Sequence, residues 1–154
     1  MVKFKPLPSL AELRHVFTYV PETGALLRKG KQAGWIESTG YRRVSWKNKH
    51  LASHRICYFL ATGVDPAEKY IDHINGDRLD NRICNLRLAT NQENQRNTSK
   101  TKGYHYARGK WRACIMLNKK YKHLGCFLTE ELAAAAYSKA ARELFGDFYH
   151  DATI

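Results

Sequence analysis

Two stretches decide how this chain is read: Tyr70-Ile71-Asp72-His73, and then Leu86-Arg87-Leu88-Ala89-Thr90-Asn91-Gln92-Glu93-Asn94. The first has the length and alternation of a short strand, and Leu86 to Ala89 read as a strand returning beside it. Residues 74–85 between them are rich in Asn, Asp, Gly and Arg, the composition of a loop. Thr90 followed by Glu93 has the form of a capping box, which starts a helix from about Asn91 to Asn97. The unit is therefore strand, loop, strand, helix. Neighbouring strand residues point to opposite faces, so Asp72 and His73 are separated by the pleat. A one-metal phosphodiesterase needs that separation. A carboxylate oxygen on one side holds a hard cation, and an imidazole on the other takes the proton from a water attacking phosphorus. Asp72 and Asn94 form the expected ligand pair, with His73 as general base.

On the N-terminal side, Ser9-Leu10-Ala11-Glu12 is another capping box, and Leu10, Leu13, Val16 and Phe17 share one face of a short helix. Pro21 to Gly24 is a turn. Strands are expected around Leu26 to Arg28 and Tyr41 to Trp46, with Lys47-Asn48-Lys49 as a hairpin turn. Ser53 is expected to cap a second helix that Gly63 ends, with Ile56, Phe59 and Leu60 facing inward. His54 is expected to be packed inside, and Arg55 to reach a phosphate.

The chain has 154 residues, enough for one domain or two small ones. Lys and Arg outnumber Asp and Glu by 26 to 14, a formal charge of +12, which points to a polyanionic partner, nucleic acid first. With 44% hydrophobic residues the chain has material for a core and is no disordered basic tail. No apolar run approaches the roughly 18 to 20 residues that span a bilayer, and no signal-peptide stretch opens the sequence. The expected location is intracellular, the cytoplasm of a bacterial host cell, with no membrane partner. Cys57, Cys84, Cys114 and Cys126 lack CxxC spacing and read as reduced, buried or half-buried thiols, with a zinc site the minor alternative.

The series Asp72-His73-Ile74-Asn75-Gly76-Asp77, Asn81, Asn85-Leu86-Arg87-Leu88-Ala89-Thr90, Asn94 and Asn97 resembles the motif of the HNH endonucleases, the ββα-metal nucleases, and especially their phage and intron homing branch. The resemblance implies His73 as base, Asp72 and Asn94 as metal ligands and Asn85 as the residue that holds the loop. Asn81 is the weaker contender for that last role and Asn97 a candidate to touch the metal through water, with plain turn and helix-surface roles as the favoured alternatives for both. Asn94 stands where the third letter of the family's name calls for His, so the chain looks like an HNN variant. A carboxylate and an amide oxygen favour Mg²⁺ or Mn²⁺ over Zn²⁺. No small-molecule cofactor is implied.

Residues 97–103 are polar throughout and suit a linker. Between Gln95 and Phe127 there are nine Lys or Arg and no acidic residue. Trp111, Ala113, Ile115 and Leu117 alternate with Lys110, Arg112, Cys114 and Met116, and Tyr121 to Phe127 return after Asn118-Lys119-Lys120. With Tyr104 to Arg108 these make three antiparallel strands. Thr129 then caps a helix whose Ala133, Ala136, Tyr137, Ala140, Ala141, Leu144 and Phe145 face the sheet. The other sheet face is suited to the major groove of double-stranded DNA. It would carry Arg112 as base reader with Lys110, Tyr121 and His123, while Lys102, Arg108, Lys119, Lys120 and Lys122 clamp phosphates. Arg42 and Arg43 give the N-terminal hairpin a second DNA-touching edge, or simply a solvated one.

Gly103-Tyr104, Gly109 to Ala113, Leu124 to Phe127, Ala134 to Tyr137 and Ala141 to Gly146 resemble the Apetala/ethylene-response DNA-binding domain. The expected fold class is α+β. An HNH nuclease region covers 1–98, with its ββα-metal core at about 69–98 behind an N-terminal helix and hairpin, and an Apetala-like domain covers 99–154. The expected function is a metal-dependent DNA endonuclease of homing type; the alternative is a non-catalytic, sequence-specific DNA-binding regulator. Oligomeric state is not legible.

Overall fold

A computed structural model describes residues 4–96, 103–117 and 120–149. The fold is mixed α and β, in two compact units, Met1–Asn94 and Gln95–Ile154. The sequence boundary expected after residue 98 lies outside the described residues.

In the first unit, helix α1 (Leu10–Val16) opens on Ser9, whose hydroxyl accepts from the Glu12 amide while the Glu12 carboxylate accepts from the Ser9 amide. Two small antiparallel sheets follow. One is ordered β1 (Thr18–Val20), β2 (Ala25–Arg28), β3 (Lys31–Gln32); the other β4 (Trp35–Ile36), β5 (Arg42–Trp46), β6 (Lys49–Ala52). The β5–β6 turn puts Lys47 and Asn48 both at positive φ, 38° and 62°, the mirror-image turn that matches strand twist. Helix α2 (Ser53–Thr62) stops at Gly63, left-handed at φ 72°. Its N-cap is Ala52 rather than the expected Ser53, whose side chain is buried at the helix start instead of capping it.

Leu13, Phe17, Leu26, Val44, Leu51, Ile56 and Cys57 form the core of this unit, so α1, α2 and both sheets share one apolar centre. Strands β7 (Tyr70–His73) and β8 (Leu86–Ala89) pair antiparallel, with Ile71 and Leu86 joining that core. Helix α3 (Asn91–Arg96) follows at once, and Thr90 and Glu93 exchange side-chain to backbone bonds at 3.3 and 2.7 Å. Arg55 does not reach outward. It is 5% exposed and donates to the carbonyls of Lys69 and Ala67 at 2.6 and 2.5 Å, so it fastens α2 to the chain entering β7.

In the second unit β9 (Tyr104–Ala107), β10 (Lys110–Leu117) and β11 (Lys120–Phe127) form an antiparallel sheet with β10 central. Helix α4 (Glu130–Phe145) is capped by Thr129, whose hydroxyl accepts from the Leu132 amide. It packs its small face on the sheet: Ala133 and Ala141 of the helix are fully buried with Ala113 and Ile115 of β10. Gly103 lies against the Tyr137 ring with no room for a Cβ, which ties the entry of β9 to α4. Cys57 is buried, Cys114 half-buried, and Cys84 and Cys126 are exposed; all four are free thiols. Exposure of two of them departs from the expected burial.

Candidate active site

The β7–β8 register sets Asp72 opposite Arg87 and His73 opposite Leu86. Both acid and imidazole are 4% exposed. On one side of the ribbon Arg87 Nε donates to Asp72 Oδ2 at 2.8 Å, and Arg87 Nη2 stands 2.8 Å from the same oxygen. A carboxylate this buried requires a cationic partner, and Arg87 supplies it.

His73 faces the other way. Its Nε2 lies 3.0 Å from Oδ1 of Asn81. Its ring packs beside those of His54 and Tyr41, with centroids 5.3 and 5.9 Å away, and the Arg78 guanidinium covers Tyr41 at 5.0 Å. Burial lowers the His73 pKa, against the opposing pull of the Asn81 hydrogen bond and the carboxylates of Asp72, Asp77 and Asp80. Burial likewise drives His54 well below the ordinary histidine value, helped by His73, Arg55 and Arg43. Both rings are therefore neutral at pH 7, and a neutral imidazole has a lone pair with which to accept a proton.

Residues 74–85 are held by their own polar groups. Asn85 Oδ1 accepts from the Asn75 amide at 2.9 Å, and Asn85 Nδ2 donates to the Asp80 carbonyl at 2.8 Å. Asn75 Nδ2 and Arg82 Nε both donate to the Asp80 carboxylate, at 2.9 and 2.8 Å. Arg82 brings the Asp80 pKa down to about 2. Asn85 thus clamps the two ends of the loop. Asn94 lies in the first turn of α3, half-buried, its amide bonded to the Thr90 carbonyl at 3.0 Å.

Sequence reasoning gave no role to Arg87 and only a lesser one to Asn81. The signal for Arg87 was its place in the strand returning past Asp72; for Asn81 the loop composition gave none beyond its amide.

Among the described residues no three His, Cys, Asp or Glu side chains gather as a metal site. The donors expected from sequence are of another kind, one carboxylate and one amide oxygen, and these fit a hard ion such as Mg²⁺ or Mn²⁺, which takes its remaining ligands from water and phosphate.

The basic side chains divide between the units. On β5, Arg43 is paired with Glu37 at 3.2 Å and Arg42 donates to the Gly34 carbonyl at 3.4 Å. In the second unit the register puts His105, Arg112 and Cys126 in one cross-strand row, followed by Cys114 with His123 and Met116 with Tyr121. Lys110, Arg112, Tyr121 and His123 are exposed on this face. Lys120 and Lys122 pair with Leu117 and Ile115, which puts them along the edge of the opposite face, and Arg108 sits in the β9–β10 turn at φ 52°. Lys102 and Lys119 lie outside the described residues, as does Asn97.

The sequence at this strand, loop, strand, helix unit matches a known family: residues 51–96 fit the model of HNH endonucleases. Two relatives extend the match. A protein described as an uncharacterized HNH endonuclease, from Acanthamoeba polyphaga mimivirus, is 35% identical over 77% of this chain and 65% of its own length. Protein 3.8 of Escherichia phage T7 is 34% identical over 69% of this chain and 96% of its own length. The chain is thus similar to the HNH endonucleases over residues 51–96. It spans 65% of the length of the mimivirus relative. A solved structure titled for DNA binding and cleavage by the HNH homing endonuclease I-HmuI overlaps 58% of this chain and 55% of that one, at 23% identity and a TM-score of 0.44. No helix among the described residues is long and apolar enough to cross a membrane.

Proposed function

We propose that this chain is a metal-dependent DNA endonuclease of homing type, with a ββα-metal centre on β7, β8 and α3, and that the sheet of its second unit binds double-stranded DNA as an Apetala-like domain does. The observation that carries the reading is the division across β7: an acid held by Arg87 on one side, and on the other a buried, neutral imidazole held by Asn81.

In this reading His73 accepts the proton of a water as the water oxygen attacks phosphorus. The phosphodiester bond breaks on the side away from the water, and the leaving oxygen takes up a proton from solvent. Asp72 and Asn94 hold the divalent cation, Mg²⁺ or Mn²⁺, which when bound neutralises charge on the scissile phosphate and the leaving oxygen. Arg87 holds the Asp72 carboxylate in place, and Asn85 keeps the loop between the strands closed. Arg112 reads bases from the exposed sheet face, with Lys110, Tyr121 and His123 beside it. Lys102, Arg108, Lys119, Lys120 and Lys122 with Arg42 and Arg43 contact phosphates. A DNA substrate and phage and viral relatives fit work inside a host cell.

The test is incubation of the full chain with supercoiled plasmid in Mg²⁺ and in excess EDTA. Conversion to nicked or linear DNA in Mg²⁺ alone is expected. Binding of the plasmid with no cutting under Mg²⁺ or Mn²⁺ would instead favour the non-catalytic regulator.

A further inference from the structure

Asn81 is 3% exposed although it lies in the polar loop between β7 and β8. Its burial is enforced from both of its backbone groups. The carbonyl accepts from the Tyr19 hydroxyl at 3.0 Å, and the amide donates to the Leu79 carbonyl at 3.1 Å. The turn between β1 and β2 presses on the same peptide: Gly24 stands at φ +70°, and a Cβ there would collide with the backbone of Asn81 and Arg82. On either side of Asn81, Asp80 and Arg82 are bonded to each other, so the residue has little freedom to turn away. An amide held this firmly and aimed at one imidazole nitrogen does more than close a loop, a task Asn85 already performs at the loop ends.

We infer that Asn81 is the positioning residue of the nuclease centre: its side-chain oxygen fixes His73 as the Nε2–H tautomer and so leaves Nδ1 as the atom that accepts the water proton. The amide oxygen can only accept a hydrogen bond, so the proton in the 3.0 Å contact belongs to His73 Nε2. A neutral ring carries one proton, and with Nε2 occupied the lone pair is on Nδ1. The inference rests on the reading of His73 as base, and it adds a residue from a segment that the β1–β2 turn holds in place. A general base contributes about 10²- to 10⁴-fold, and losing the group that sets its tautomer is expected to cost about 10- to 100-fold of that.

The experiment has two arms on the full-length chain. In the first, metal-free protein labelled with ¹⁵N-histidine is examined by long-range ¹H–¹⁵N correlation, with His73 assigned from H73Q. The Nε2–H tautomer is expected in the parent protein and a mixture of tautomers in N81L. A parent protein in the Nδ1–H form, or an unchanged tautomer in N81L, would overturn the inference. In the second arm, single-turnover DNA cleavage should fall about 10- to 100-fold in N81L with DNA affinity within about twofold, and N81D, which keeps an acceptor oxygen, should recover most of the loss. An N81L enzyme as fast as the parent, or an N81D enzyme as slow as N81L despite normal folding, would count against it. If H73A cuts normally, the base assignment fails by itself, and the tautomer arm still decides whether Asn81 sets the ring.

Discussion

Removing the Arg87 guanidinium should destabilise the first unit more than any surface charge change. In R87M the Asp72 carboxylate, whose side chain is 5% exposed, loses the cation that stands 2.8 Å away. Deleting one partner of a buried pair leaves an uncompensated charge at a cost of about 3–5 kcal/mol. For a unit of this size each kcal/mol corresponds to about 4–8 °C, so a fall in Tm of about 12 °C or more is expected. The assay is thermal unfolding of the full chain followed by tryptophan fluorescence in a W111F background, which leaves Trp35 and Trp46 of the first unit as reporters. The double variant D72L/R87M replaces the pair with apolar groups and should regain most of the loss, because a buried ion pair is worth little against well-packed side chains. An R87M unit within about 1 kcal/mol of the parent, or a double variant as unstable as R87M, would refute the claim that charge burial at Asp72 is what Arg87 relieves.

Three further outcomes are expected. His54 and His73 have pKa values lowered in the folded state, so the unfolded chain binds more protons below its ordinary histidine value. Stability of the first unit should be full above about pH 6.5 and fall as pH drops below it, with a limiting slope of about 1.4 kcal/mol per pH unit for each histidine; H54F should flatten the fall in a pH series of Tm. If the two units together neutralise about six to eight phosphates, log K for DNA should fall with log salt at a slope near about −5 to −7, measured by fluorescence anisotropy; a much shallower slope would remove the phosphate clamp. R112A should lower affinity for a preferred duplex more than for a scrambled one, and an equal loss on both would remove base reading.

The strand, loop, strand, helix unit was legible because its signals are local: Asp72 and His73 sit in a short alternating run, and Thr90 and Glu93 cap the next helix within four residues. The same holds for Ser9 with Glu12, and for Thr129 before α4. Other features depend on contacts distant in sequence. Ser53 has the chemistry of an N-cap, but its side chain is buried where α2 begins, and Ala52 takes the position. Strands β3 and β4, two residues each, exist only through their partners and have no period of their own. Arg55 carries a charge that composition assigns to the surface, yet two carbonyls beyond α2 draw it inside. At the candidate site, Arg87 meets Asp72 through a register that a twelve-residue connection does not fix. Asn75, Asn81 and Asn85 are chemically alike, and only the packing of Gly24 and Tyr19 determines that Asn81 turns toward His73.

Cleavage and DNA binding by H73A, measured side by side with the parent on one plasmid in Mg²⁺, bear most directly on the proposed hydrolytic centre. Loss of cutting with affinity kept within a few fold is the expected result. A variant that cuts at the parent rate would contradict the assignment of His73 as base, and with it the reaction built on β7.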